Sequence, residues 1–322
     1  MIATTTMMDW QTVSPESFLL GESPFWHPLE QTLYWVDIPG KKVCRANVYM
    51  GTVDTWDMPS EPGCIAPAAS GGLVIALRHG VFRARDWRGE LELITTLPYN
   101  TAAVRANDGK CDALGRFWVG TIDEPKANRA AALFSIDCRN GRAPLVQQHA
   151  GDALTGNGLG WSPDGRTAYW SDTPNHVIRA WDFDVHANAL SAPRIFQQLP
   201  PKPADWQSGA PREVSENNKG LPSYRGRPDG AAVDVQGNYY AAIFEGQRIS
   251  KFAPDGRLLA EYPTPAVCPT MPCFGGEDRK TLYVTSARYK RSAAELAAFP
   301  QSGCVFSLRV DVPGLPVNFF TD

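Results

Sequence analysis

Asn157-Gly158-Leu159-Gly160-Trp161-Ser162-Pro163-Asp164-Gly165, continuing after Arg166 into Thr167-Ala168-Tyr169-Trp170-Ser171-Asp172, reads as two short strands joined by a tight turn. Pro163 presets φ for the turn, Asp164 can bond its own backbone, and Gly165 accepts a positive φ. The same phrase returns along the chain: a polar Asn, Asp or Glu beside Gly, a strand, an Asp/Gly turn, then a second strand rich in Trp or Tyr. It opens at Gly21-Glu22-Ser23-Pro24, and again at Asn107-Asp108-Gly109 and Pro228-Asp229-Gly230, with weaker copies at Ile65-Ala66-Pro67-Ala68 and Met271-Pro272-Cys273-Phe274.

Taking Glu22, Cys64, Asn107, Asn157, Asp229 and Phe274 as equivalent positions, the successive spacings are 42, 43, 50, 72 and 45 residues. Four of the five fall near the ~40–50-residue period of propeller blades. Six units of three or four short antiparallel strands predict an all-β chain folded as a six-bladed β-propeller. Two β-sandwiches of similar strand count would leave the regular period unexplained. One propeller domain is expected over residues 1–322, with its blades within about 14–312. The 72-residue spacing marks an insertion at 200–227, rich in Pro, Ser, Asn and mixed charge and without periodicity, which reads as a long loop near the channel mouth. A lid or specificity loop is the expectation, a plain surface insertion the alternative. Helix is scarce; Ser292-Ala293-Ala294-Glu295 fits a capping box opening one short helix that Pro300 closes.

Hydrophobic residues make up 43% of the chain and charged ones 20%, the balance of a globular protein. Thirty-one basic against 34 acidic residues leave a formal charge of −3. That gives no electrostatic footprint for nucleic acid and no basic face for anionic lipid. No signal-peptide pattern opens the chain, and no apolar run approaches the roughly 18 residues of a membrane span. The 7 cysteines are scattered without Cys-x-x-Cys spacing, which favours free thiols in a reducing compartment. A cytoplasmic protein is expected.

In a propeller the residues that open each blade converge on one end of the central channel. Here four of them, Glu22, Asn107, Asn157 and Asp229, carry side-chain oxygens. Two carboxylates facing one axis would repel unless a cation lay between them, and a hard divalent ion takes oxygen ligands readily. Any one of the four, taken alone, is more simply a turn cap. Four at matching places favour a site. The five histidines form no ligand pair at metal spacing, no Gly-x-Ser-x-Gly elbow is present, and the ten Trp read as blade packing.

Gly21-Glu22-Ser23-Pro24, Arg105-Ala106-Asn107-Asp108-Gly109, Asn157-Gly158-Leu159 and Pro228-Asp229-Gly230 resemble, in order, the motif set of the regucalcin/gluconolactonase family. Phe274-Gly275-Gly276 and Leu282-Tyr283-Val284-Thr285-Ser286-Ala287-Arg288 resemble its last blade. The likeness covers roughly residues 22–306. It implies one divalent metal ion, Ca²⁺ first and Zn²⁺, Mn²⁺, Mg²⁺ or Fe²⁺ as alternatives, held by Glu22, Asn157 and Asp229 with Asn107 close by. It implies substrate contacts from Arg105 and Asn107, and from Glu124, although Asp123 beside it competes for that role.

The activity so implied is metal-dependent hydrolysis of a sugar-acid lactone, with Asp229 taking a proton from the attacking water or the ion acidifying that water directly. The basic residues Arg212, Lys219, Arg225 and Arg227 of the insertion would lie near the mouth, where one could pair with the second carboxylate of an aldaric lactone. An aldonic lactone is placed first, an aldaric one close behind. The rivals are a non-catalytic calcium-binding regulatory propeller and an ester or phosphotriester hydrolase built on the same ligands.

Overall fold

In the computed structural model, which describes residues 8–14, 16–204, 206 and 224–322, the 157–172 stretch is a hairpin of strands Gly156–Trp161 and Thr167–Asp172. Ser162 Oγ accepts from Thr167 N at 2.9 Å and donates to Asp164 Oδ1 at 2.6 Å, while Gly165 stands at φ +68°. The same local chemistry makes the corresponding turns elsewhere. Asp112 Oδ1 accepts from the backbone of Leu114 at 2.9 Å and Arg116 at 3.2 Å, and Asp234 Oδ1 accepts from Gln236 and Asn238 at 2.9 Å each. A side-chain acceptor bonding its own backbone two and four residues on closes the loop before any tertiary contact exists.

Among the described residues these hairpins grow into six four-stranded antiparallel sheets. The first is Gly21–His27, Thr32–Asp37, Lys42–Asn47 and Thr52–Asp57; the second Pro62–Pro67, Leu73–Leu77, Gly80–Ala84 and Glu92–Thr95. The third is Val104–Cys111, Phe117–Asp123, Ala131–Asp137 and Leu145–Ala153; the fourth adds Val177–Asp184 and Ala189–Gln198 to the hairpin above. The fifth is Arg227–Val233, Tyr239–Phe244, Arg248–Phe252 and Leu258–Pro263. The sixth takes Pro269–Gly275, Thr281–Ser286 and Phe306–Arg309 and completes itself with Gln11–Thr12 from the other end of the chain. The first strands lie side by side in a ring, the sixth returning to the first, which is a six-bladed β-propeller.

Aromatic residues of the first two strands pack the faces between blades. Trp35, Trp118 and Trp170 are fully buried, Trp26 stacks on Tyr283 across the first and sixth sheets, and Tyr169 meets Tyr239 across the fourth and fifth. The outermost strands have no such face. Thr52–Asp57, Glu92–Thr95 and Ala189–Gln198 are half-buried or exposed throughout and carry no clean apolar alternation, so periodicity alone does not reveal them. The expected helix forms over Ala293–Ala298, with Ser292 Oγ accepting from Glu295 N at 3.2 Å.

Closure has a second part. The last residues cross the end of the channel where the first hairpins turn. Gly314 N donates to Arg279 O, Leu315 N to Val233 O, Thr321 N to Gly115 O and Phe320 N to Pro67 O, tying the sixth, fifth, third and second blades. Asp322 finishes the strap by accepting from Arg83 Nε at 2.9 Å and Ser70 Oγ at 2.7 Å. A cavity of about 370 Å³ lies between this strap and the ring, lined by Phe25, Trp161, Met271, Phe274 and Leu315 among others. All seven cysteines are buried and unpaired. No helix among the described residues is long and apolar enough to cross a membrane.

Phe320 is wholly buried against the second and third blades. Phe320→Ala should therefore cost about 3–5 kcal/mol, read as a lowered denaturation midpoint with unchanged slope. His149, stacked on Trp118 at 4.2 Å, is held down at about 4 by burial and then by the Arg116 charge. Its folded pKa lies below the usual 6.5, so the stability of the neutral ring is present above that value and lost as pH falls from 6.5 towards 4. His149→Gln should lose less melting temperature over that window than the wild type.

Candidate active site

Every first strand breaks register once, near its start: after Glu22, Pro62, Ala106, Asn157, Pro228 and Pro269. A β-bulge kinks the strand and re-aims one side chain, and here six bulges ring the same end of the channel. That explains the recurring pairing of a polar residue with Gly. Gly158 stands at φ +62°, and a Cβ there would come within 2.3 Å of Tyr239 Oη and 2.6 Å of Ser171 Oγ. The structure moves one equivalence. In the sixth sheet the bulge falls at Thr270 and Met271, and Phe274 lies further along, lining the cavity at the opposite end.

The bulges bring Glu22, Asn107, Asn157 and Asp229 together, all buried, as the spacing of the motifs predicts. A directed chain of hydrogen bonds runs through the amides. Arg105 Nη1 donates to Asn107 Oδ1 at 3.1 Å, Asn107 Nδ2 to Asn157 Oδ1 at 2.8 Å, and Asn157 Nδ2 to Thr173 Oγ1 at 2.8 Å. The Asn157 amide is thereby fixed with its oxygen on the Asn107 side, and that oxygen retains a second lone pair. Glu22 Oε2 accepts from Ser23 N at 3.0 Å.

Asp108 belongs to the cluster and is absent from the sequence expectation. Strict strand alternation sends it away from Asn107; the bulge keeps it buried within electrostatic reach of both Glu22 and Asp229. Its Oδ2 accepts from Leu159 N at 2.9 Å and its Oδ1 has no partner among the described residues. The Asn-Asp-Gly triplet, with two polar residues at one bulge, was the available signal.

Three buried acids within electrostatic reach perturb one another. Burial, then the charges of Asp229 and Asp108, pushes the Glu22 carboxyl well above the usual range. Asp229 is pushed up to about 8, again mainly by burial, with Arg227 and Lys126 opposing the shift and Asp108 adding to it. Among the described residues no three His, Cys, Asp or Glu side chains gather as a metal cluster by themselves. A hold on a cation here therefore needs the carboxamide oxygen of Asn157 beside Glu22 and Asp229. That all-oxygen set, buried and short of positive charge, suits a hard divalent ion.

Glu124 stands one step out from the centre. It accepts from Arg105 Nε at 3.3 Å and from Arg78 Nη1 at 2.8 Å, and Arg78 also pairs with Glu61 at 2.9 Å. Burial alone would raise the Glu124 carboxyl, but Arg78 and Arg105 hold it below the usual range. Its visible work is to orient Arg105. Of the insertion, residues 205 and 207–223 lie outside the described residues, and with them Arg212, Lys219 and most of the expected lid. Arg225 pairs with Glu261 on an outer strand at 2.7 Å rather than facing the channel, whereas Arg227 stays at the rim, 3.7 Å from Glu245.

Residues 20–288 match the family described as SMP-30/Gluconolactonase/LRE-like region. A 6-deoxy-6-sulfogluconolactonase of Pseudomonas putida is 41% identical over 94% of this chain and 95% of its own length. Regucalcin of Danio rerio is 31% identical over 97% and 98%. Among solved structures, a calcium-binding protein, regucalcin, of Agrobacterium tumefaciens superposes with a TM-score of 0.84 over 98% of both chains at 23% identity, a likeness of fold.

Two glycines with similar backbone but different surroundings test the bulge. Gly165, at φ +68° with open space around it, should tolerate Ala at a cost of about 1–2 kcal/mol. Gly158→Ala should cost about 1–3 kcal/mol more, because its Cβ meets Tyr239 and Ser171, and paired denaturation curves measure the difference.

Proposed function

The chain belongs to the SMP-30/gluconolactonase/LRE-like family, and from that premise we propose that it hydrolyses a sugar-acid lactone to the free acid in a reaction dependent on one divalent cation. The observation that carries this reading is the meeting of Glu22, Asn157 and Asp229 at three bulges, with Arg105 and Asn107 bonded into the same cluster. The 41% identical relative named for a sugar lactone supports the substrate class. Glu22, Asn157 and Asp229 would hold the cation, Ca²⁺ first on the strength of hard oxygen donors and the calcium-binding regucalcin fold, with Zn²⁺, Mn²⁺, Mg²⁺ or Fe²⁺ as alternatives. When bound, the cation supplies Lewis acidity towards the lactone carbonyl and offsets the negative charge that develops there.

The chain's own residues do the rest. With a bound cation offsetting the burial that raises its carboxyl, Asp229, anchored by the Gly230 N–H, would accept the proton of the attacking water, or the cation would acidify that water directly. Arg105 and Asn107, already oriented by Glu124 and Asn157, hold the lactone carbonyl or a ring hydroxyl so that attack is effectively intramolecular. Glu124, just over a third exposed, also offers an acceptor to a sugar hydroxyl. The buried, unpaired cysteines suit a reducing compartment and support a cytoplasmic location.

A pH-indicator assay over a panel of sugar lactones, with chelator and then metal add-back, tests the reading. Turnover should vanish with chelator and return with cation. Asp229→Asn and Glu22→Gln should each lower kcat by roughly 10²–10⁴ with an unchanged far-UV spectrum. Wild-type protein whose melting temperature rises with cation, but which opens no lactone in any metal, would instead be a cation-binding propeller.

A further inference from the structure

The charges around the channel mouth do not balance evenly. On the side of Arg105, two carboxylates, Glu61 and Glu124, serve two guanidinium groups, Arg78 and Arg105. On the side of Asp229, the buried Glu245 is already fully engaged. It takes Lys202 Nζ at 2.9 Å, Tyr224 Oη at 2.6 Å and Arg291 Nη1 at 3.0 Å. Arg227 reaches the same carboxylate only at 3.7 Å, beyond hydrogen-bond distance, and its guanidinium makes no hydrogen bond to a described residue. It is nonetheless held, four-fifths buried, with its charge 5.3 Å from the centre of the Phe244 ring. Lys126, in the turn after Phe117–Asp123, has no ion pair or hydrogen bond from its ammonium to a described residue and lies within electrostatic reach of Arg227, Asp229 and Arg105. Arg227 has only the shared Glu245 carboxylate, at 3.7 Å, and Lys126 is an exposed ammonium with no carboxylate of its own, so the positive charge at this rim is incompletely compensated and favours an incoming anion.

Resting on the lactone-hydrolysis reading, we propose that Arg227 and Lys126 form a receptor for a second anionic group, a sulfonate, phosphate or carboxylate, at the end of the substrate remote from its lactone carbonyl. Arg227 lies two residues before Asp229 on the same strand, about 6–7 Å further out. That span is of the order of the length of a six-carbon sugar acid, so a lactone engaged beside Asp229 would bring its terminal substituent to the rim. The planar guanidinium, hydrogen-bonded to no described residue and held over the Phe244 ring beside Glu245, can bond two oxygens of one tetrahedral or planar anion at little conformational cost. Lys126 adds a second cationic charge from the turn after Phe117–Asp123 in the third blade.

The test is a comparison of kcat/KM for gluconolactone, whose terminal carbon carries only a hydroxyl, with its 6-phospho, 6-deoxy-6-sulfo and aldaric counterparts. Wild-type protein should favour at least one charged lactone by tenfold or more, and the preferred member identifies the anion. Arg227→Met should lower that charged-to-neutral ratio by roughly 10–100-fold, chiefly through KM, with Arg227→Lys restoring part of it. Lys126→Met should lower it several-fold; this residue sits in a surface turn, so its variant reads the selectivity without disturbing the Glu245 cluster. Turnover of gluconolactone without preference for any charged lactone would overturn the receptor and leave the lactonase reading standing, as would a ratio unmoved in both Met variants. Failure to open any lactone, charged or neutral, would overturn both.

Discussion

Burying Glu22, Asp229 and Asp108 in each other's fields is the constraint on which the rest of the structure depends. Carboxylates so placed raise one another's proton affinity and oppose the compact state, so their proximity must be imposed by something stiffer than the side chains. Six first strands closed into a ring supply that stiffness. Each is paired to its own sheet on one side and packed against its neighbours on the other, and four of them place Glu22, Asn107, Asn157 or Asp229 at a bulge. The arrangement leaves a concentrated demand for positive charge at one end of the channel.

The ring can hold this demand because it is closed twice, away from the site. Gln11–Thr12 completes the last sheet at its outer edge. The chain from Gly314 to Asp322 straps four blades together at the far mouth, where the apolar cavity lies. The mechanical and chemical ends of the channel are thus separate. The far end can be fastened by backbone hydrogen bonds and Phe320 without filling the space a substrate needs. Around the near end the polar groups form successive shells: the acids at the centre, the amides of Asn107 and Asn157 next, and the guanidinium and carboxylate groups of Arg105, Glu124, Arg78 and Glu61 outside them. Glu124 orients Arg105 and Arg105 orients the Asn107 amide, so Glu124 acts on the amides through Arg105.

Six blades, and the gathering of side-chain oxygens where four of them begin, were legible in the residues. The hairpin turns are local chemistry, Asp or Ser bonding its own backbone before a Gly at positive φ, and they recur at a period that only a propeller explains. Glu22, Asn157 and Asp229 could be picked out because each sits beside a Gly or Ser at its bulge, and Asn107 because Gly109 follows two residues on. What could not be read are features set by partners distant in sequence. The outer strands are half-buried or exposed and lack alternation, and Gln11–Thr12 becomes a strand only because Phe306–Arg309 offers it an edge. Phe274 looked equivalent to the other site residues by spacing, yet the sixth bulge falls at Thr270 and Met271.

The charge state of the mouth belonged wholly to the tertiary structure. Asp108 joins the acids because a bulge cancels the alternation that would have turned it away, and Arg225 leaves the mouth because Glu261 is its nearer partner. Arg227 and Lys126 are ordinary surface-type cations in the sequence, 101 residues apart; folding brings them within electrostatic reach of each other and of Asp229, and gives the hydrogen bonds of Glu245 to other donors. Local hydrogen bonding and periodicity determine where this chain turns and how many sheets it makes. Which charges end up satisfied is decided only when the sheets close, because electrostatic balance depends on distances between residues that no local pattern relates.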